Sequence, residues 1–312
     1  MLNDLFHLLR LRAEVYNNAR TCGNWHIPES HIGQTCFHMP TQNSCRLHIP
    51  GHEDTTLYEG ELVLFPREIP HSMTTLSQTD TPYERHSYHH HDPDGTALIC
   101  GRICFQHAGK QALLDALPPV IIIRQQASQQ WLPALLQLIL HESFQSDNGS
   151  TEVLDRLCEL IFIHTLRHLV EQHAHEGQET EPSVSTTKLN GGILALYSNQ
   201  RLAPAIHSIH TKPSHSWSLE TLAQSCHMSR TAFTKLFKEN CSWTPMRYLS
   251  WWRMQLAYSK LRDGENVAQT AASIGYSSEA AFSRAFSKEF GMHAGKVRSM
   301  KHVTESLPRY LF

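Results

Sequence analysis

Two stretches of this chain repeat each other at a spacing of 49 residues, the second of them Tyr276–Phe286, YSSEAAFSRAF, and the first Met228–Phe237, MSRTAFTKLF. Superposed at that offset, Ser229 meets Ser278, Ala232 meets Ala281, Phe233 meets Phe282 and Phe237 meets Phe286. Lys235 meets Arg284, so a basic residue recurs at the same place. Each stretch begins with a serine suited to capping a helix. Each then sets apolar residues four, seven and eight positions further on, which is one helical face. A chain with this pattern twice must build two similar helices, each buried on one side, and its function turns on what the other side meets.

The text around the repeat completes a pattern. Ser218 can cap a helix holding Leu219, Leu222, Ala223 and Cys226, and a break at His227-Met228 leads into the helix from Ser229. Thr244-Pro245 places a cap before a proline at the first helical position, opening a long helix through Leu249, Trp252, Leu256 and Leu261. After Asp263-Gly264, a helix with Val267, Ala271 and Ile274 turns at Gly275-Tyr276 into the helix from Ser278. Helix, tight turn and helix, occurring twice, is the layout of two helix-turn-helix units. The second helix of such a unit lies in the major groove, where base edges carry a readable donor and acceptor code. The outward positions are suited to that: Arg230, Thr231, Thr234, Lys235 and Lys238 in the first helix, and Ser278, Glu279, Ala280, Ser283, Arg284 and Lys288 in the second. Arginine and threonine can read base edges, whereas Lys238 and Lys288 suit phosphates, which position without specifying. A plain helical bundle with a solvated basic face is the bland alternative, and the repeat argues against it.

Charge supports the same division. Residues 213–312 hold 13 Lys+Arg against 7 Asp+Glu, a net of +6, while residues 1–212 hold 14 against 22, a net of −8. A basic tail on an acidic body suits a polyanion. No apolar run approaches the ~20 residues of a membrane span, and no signal peptide is read at the N-terminus. The 8 cysteines form no CxxC pair, which suits thiols kept reduced in a cytoplasm.

Upstream, Leu5, Leu8, Leu9 and Arg12 predict one helix over residues 1–20. Short alternating runs broken by Pro, Gly, Asn and Asp predict strands at 33–39, 44–49, 54–58, 61–65, 71–76 and 96–105, a small sandwich or barrel. A polar loop is expected at 81–94. Helical patterns at 132–144 and 153–170 predict an antiparallel pair, which can pack on the barrel or dimerise. Residues 171–188 are almost without apolar side chains and read as a linker. A further helix is expected from Gly191-Gly192 to about His210. The expected fold class is α+β, in three parts: a cupin-like sensor with its helical hairpin at 1–170, the linker, and a DNA-binding domain at 189–312 with its core at 213–298.

Residues 213–298 resemble the DNA-binding domain of the AraC family of bacterial transcription regulators. The text that carries the resemblance is LAQSCHMSRTAFTKLFKE, TPMRYLSWWRMQLAYSKLRD and VAQTAASIGYSSEAAFSRAFSKEFG. One departure is Ala294, where the family usually has proline; this should loosen the final turn, while the arginine expected further on is present as Arg298. EGELVLFPREIPHSM, LICGRICF, LLDALPPVIIIR and GSTEVLDRLCELIFIHTLRHLVE resemble the cupin-type sensor half of one subgroup. The resemblance implies a non-catalytic, cytoplasmic regulator. Its implied partners are double-stranded promoter DNA, RNA polymerase, a second copy of the chain, and a small effector or oxidant.

The signal is open at this level. A cupin metal site is met only in broken form, with His48, His52 and Glu53 early and His71 later; His71 has the best claim to a metal. His86, His89, His90 and His91 form a histidine-rich loop suited at most to adventitious Zn²⁺, Ni²⁺ or Cu²⁺. Regulators that this chain resembles sense oxidants such as reactive chlorine species through cysteines matching Cys22 and Cys100, with Cys104 close by. The plainer reading makes Cys100 and Cys104 core residues. A cupin metalloenzyme with a DNA-binding appendage, and a sensor half that only dimerises, are the rivals.

Overall fold

The computed structural model describes residues 2–27, 34–67, 69–76, 80–87, 94–105, 107, 109–125, 131–143, 149–175, 189 and 191–299. The chain opens with helix α1 (Leu2–Leu9), followed at once by strand β1 (Leu11–Cys22). The single helix expected over residues 1–20 is therefore wrong beyond residue 9. Arg10 breaks it by taking a left-handed backbone, φ 41°. β1 then gains ten ladder partners on a strand far ahead in sequence, which local periodicity cannot register.

The strands that follow are β2 (His26–Ile27), β3 (Thr35–Gln42), β4 (Cys45–His48), β5 (Thr55–Leu57), β6 (Leu62–Phe65), β7 (Ser72–Thr75), β8 (Glu84–Ser87) and β9 (Thr96–Phe105). The polar loop expected at 81–94 thus contains β8, whose residues pair with Ala19 to Cys22 of β1. After helix α2 (Lys110–Asp115), β10 (Ile121–Ile123) completes a six-stranded sheet of order β10-β6-β3-β9-β1-β8. A four-stranded sheet, β2-β7-β4-β5, faces it. All pairings are antiparallel.

Strands β3, β6 and β9 of the six-stranded sheet are buried on both faces, and period-two alternation sorts their residues. Cys36, Val63, Phe65, Leu98 and Cys100 face the barrel interior, with Trp25, Leu47 and Met73 from across the sandwich. Phe37, Leu62, Leu64, Ile99 and Ile103 face outward into a second core. Helices α3 (Trp131–Ser143) and α4 (Ser150–His175) cover that outer face. A bulge between Val15 and Asn17 frees the Val15 N–H, which donates to Asp155 of α4 at 3.0 Å. Because α4 runs to His175, the first residues assigned to the linker are helical; 176–188 lie outside the described residues.

The remaining helices are α5 (Ala195–Ser198), α6 (Ala203–Thr211), α7 (Leu219–Ser225), α8 (Arg230–Cys241), α9 (Pro245–Arg262), α10 (Val267–Ser273), α11 (Glu279–Phe290) and α12 (Ala294–Ser299). The helix expected from Gly191 to His210 is two helices, because Asn199 at the end of α5 is extended (ψ 100°). α12 forms with Ala294 as its first residue, 4% exposed, so the expected loosening there is not seen. Proline is favoured at that position for its fixed φ, and alanine adopts the same conformation.

The two halves meet along α9. Arg10 pairs with Asp263 at 2.6 Å, just past the end of α9. His107 donates from Nε2 to the Gln255 carbonyl at 3.2 Å and accepts at Nδ1 from the Gly109 N–H at 3.0 Å. His210 of α6 lies between Asp4 of α1, 3.0 Å from Nδ1, and the Tyr248 hydroxyl, 2.8 Å from Nε2. Its ring stacks on Trp252 at 3.6 Å.

Candidate nucleic-acid interface and sensor barrel

α7 with α8, and α10 with α11, form the two expected units. Ser218 and Asn266 cap α7 and α10, and both helices are seven residues long. Ser229 and Ser278 cap α8 and α11 through the Ala232 and Ala281 N–H groups, and both helices are twelve residues long. The first helices repeat at 48 residues and the second at 49, so the second turn carries one extra residue. Phe233 and Phe237 anchor α8 to one core, and Phe282 and Phe286 anchor α11 to another.

The first turn takes its left-handed residue at His227 (φ 54°) and the second at Gly275 (φ 89°). A Cβ on Gly275 would lie 2.6 Å from the Ser214 carbonyl oxygen. Gly275→Val therefore meets both backbone strain and a backbone clash, and is expected to cost about 2–4 kcal/mol. A lowered denaturant midpoint at unchanged slope checks this.

Away from the phenylalanines, α8 exposes Arg230, Thr231, Lys235 and Lys238. Thr234 is half-buried and donates its hydroxyl to the Arg230 carbonyl at 2.8 Å, which leaves its methyl and lone pairs for a partner. Lys235 lies 3.9 Å from Glu239, a solvated pair of little strength. On α11, Ser278, Glu279, Arg284 and Lys288 are exposed and Ser283 is half-buried. Each capped helix thus offers a polar, largely basic face at its exposed side.

The chain is similar over nearly its whole length to known regulators. The cupin family profile matches residues 1–171, and the helix-turn-helix domain profile matches residues 222–300. A putative AraC-like transcription regulator of Streptomyces lividans is 30% identical over 320 residues, covering 97% of this chain and 98% of the relative. The chain belongs to the AraC-like transcription regulators. The RCS-specific HTH-type transcriptional activator RclR of Escherichia coli K12 is 28% identical over 306 residues, covering 95% of this chain and 97% of the relative. This AraC-like chain joins a cupin half to a DNA-binding half, and its relatives' identity as regulators sets aside the enzyme reading.

Inside the cupin half, the expected early metal ligands are misplaced. β4 alternates, with Cys45 and Leu47 buried and Arg46 and His48 outside. His48 is instead paired with Asp54 at 2.6 Å, and His52 and Glu53 are exposed. His71 does lie inside, 3% exposed, but its neighbours are Cys36 and His38 of β3, which share one strand face two residues apart. The donor atoms of these three all lie within 4.8 Å of one another. The Cys-x-His spacing on a strand is the signal that would have found them. His86 is bonded to Glu84 at 3.0 Å, and His89, His90 and His91 lie outside the described residues.

All eight cysteines are reduced thiols. Cys100 lines the barrel interior, and burial pushes its thiol up to about 12, the Asn17 amide opposing. Burial also raises Cys104, which is half-buried. Cys22 stands at the far end of β1: Asn17 opposes Cys100, so Cys22 is five ladder rungs away. That is roughly 16 Å, well beyond the ~7 Å between Cα atoms that a disulfide spans. The structure therefore does not bring Cys22 and Cys100 together.

Proposed function

We propose that this regulator grips promoter DNA with α8 and α11 in successive major grooves. Arg230, Thr231, Lys235 and Arg284 read base edges. Thr234 and Ser283 make closer, apolar or accepting contacts, while Ser278 and Glu279 sit at the entry of α11. Lys238 and Lys288 hold phosphates. The observation that carries this is the pair of equal, capped helices with outward polar faces on either side of α9. α9 has 18 residues, and a helix that long measures ~27 Å, comparable with the ~34 Å between successive grooves. Affinity for a mapped operator should fall steeply with salt as phosphate contacts release counterions. Salt-independent binding, or equal affinity for scrambled duplex, would sink the reading.

The cupin half acts as the sensor, and the protein works where its DNA is, in the cytoplasm. Protomers pair through the hairpin of α3 and α4, where Leu138 and Leu160 are exposed, and RNA polymerase is the further partner. A monomer by sedimentation at all concentrations would remove the pairing. An oxidant signal is the second reading, supported by similarity to an RCS-specific activator. It requires Cys22 to react without Cys100 at hand, or β1 to rearrange. Promoter affinity should change on hypochlorite treatment in wild type and not in Cys22→Ser; equal affinities throughout exclude it.

A further inference from the structure

We propose that Cys36, His38 and His71 form a three-ligand site for a borderline-soft divalent cation, Zn²⁺ first among them, which ties the two sheets of the barrel together. The inference deepens the sensor reading of the cupin half and rests on it only for its purpose. Three observations converge. The first is chemistry: one thiol and two imidazoles is a donor set suited to zinc and poorly suited to magnesium or calcium.

The second is orientation. His71 Nδ1 lies 2.8 Å from the Ile69 carbonyl oxygen, to which only an N–H can donate. That bond fixes the tautomer and leaves the Nε2 lone pair pointing at His38, whose own Nε2 is 2.8 Å away. An imidazole held by a backbone carbonyl behind it is the usual outer support of a metal ligand. The Phe65 ring stacks on His71 at 4.0 Å and fixes its plane. Zinc at ~2.0–2.1 Å from both nitrogens needs them ~3.3 Å apart, so the two rings must part by only about half an ångström.

The third is deep burial with one ring nitrogen left unsatisfied. Cys36, His38 and His71 are 0%, 2% and 3% exposed in an interior of apolar side chains. His38 Nδ1 is buried with no hydrogen-bond partner, so hydrogen bonding alone does not account for this ring. Among the described residues no fourth Cys, His or carboxylate joins the cluster. One coordination position is then left for water or an incoming effector, as in zinc sites that bind exchangeable ligands. β3 belongs to the six-stranded sheet and His71 enters β7 of the four-stranded one, so the cation bridges the sheets.

The test uses full-length protein without a tag, dialysed against micromolar ZnCl₂ and then metal-free buffer. Mass spectrometry of metals should find about one zinc per chain, lost in Cys36→Ser and His71→Ala and retained in His48→Ala. Cobalt substitution adds a signature: a near-ultraviolet thiolate-to-cobalt band that vanishes in Cys36→Ser. Should the variants fail to fold, the wild-type protein decides alone. Zinc at ~100-fold excess over Kd should raise its Tm by roughly 5–10 °C, and magnesium should not. No retained zinc, a cobalt complex lacking the thiolate band, or zinc lost from His86→Ala but not from the triad variants would each overturn the site. Promoter binding by chelator-treated wild type is measured in parallel. Promoter binding by protein that retains no zinc defeats only this inference, and the absence of promoter binding under every condition defeats the regulator reading.

Discussion

Replacing Arg230 and Lys235 together by alanine lowers affinity for the mapped operator about 100-fold or more, and narrows the gap between operator and random duplex. Both side chains are exposed on α8, away from the Phe233 and Phe237 anchor, so their loss leaves the fold intact. A good base contact from such a side chain discriminates by about 1–3 kcal/mol, and two of them account for the factor. Arg284→Ala is expected to act similarly but alone, since its neighbours on α11 are Glu279, Ala280 and Ser283. Lys288→Ala differs in kind. It weakens operator and random duplex alike and lowers the salt slope by about 0.9. Thr234 ranks below Lys235 because its hydroxyl proton is already given to the Arg230 carbonyl. Fluorescence anisotropy across a salt series separates these outcomes; equal losses on operator and random duplex for Arg230, Lys235 and Arg284 would mean that α8 and α11 do not read bases.

Acidification from pH 7 to 4.5 should cost the folded protein about 2–3 kcal/mol for each of two histidines, His107 and His210. Burial pushes both down to about 4, with the Gln255 carbonyl opposing at His107 and Asp4 opposing at His210. Unfolded, each titrates near 6.5. Between those values the unfolded chain binds protons that the folded chain refuses, so stability is full above pH 6.5 and drains as pH falls toward 4. The geometry explains the refusal at His107: its Nδ1 lone pair accepts the Gly109 N–H, and a proton there would meet another proton. Both rings stand where the cupin half meets α9 or its packing partners, so acid should loosen that junction first. Denaturant midpoints between pH 7 and 4.5 measure the slope, and His107→Gln should roughly halve it. A flat profile in the wild type would mean that these rings are not buried neutral.

The DNA-binding half was legible because its signals are local. Caps at Ser218, Ser229, Thr244 and Ser278, and apolar spacing within one helix, each depend on a few neighbouring residues. The barrel is legible only where short apolar runs are bounded by turn residues, as in β6 and β9. β1 was missed because its polar residues are satisfied by partners far off in sequence: Glu14 by Arg102 at 3.0 Å, Asn17 by the Leu98 carbonyl and Arg20 by Gln42. Nothing near those residues announces the pairing. The triad in the barrel was half-seen for the same reason. His71 was singled out by its turn, whereas His38 acquires meaning only when β3 is folded against β7. Of the early histidines, His48 is sent outward by the alternation of β4, and His52 lies exposed in the turn beyond it.

The extra residue between α10 and α11 has a consequence beyond the protein. In the proposed docking, α8 and α11 differ in side chains and in the turn that presents them, so they cannot exchange places on the duplex. A site for one chain therefore has a head and a tail, with no dyad of its own. Its direction along the promoter decides which way the cupin half leans from the DNA, upstream or toward the start point. Reversing the site in place, with every base contact preserved, should keep affinity and change transcription.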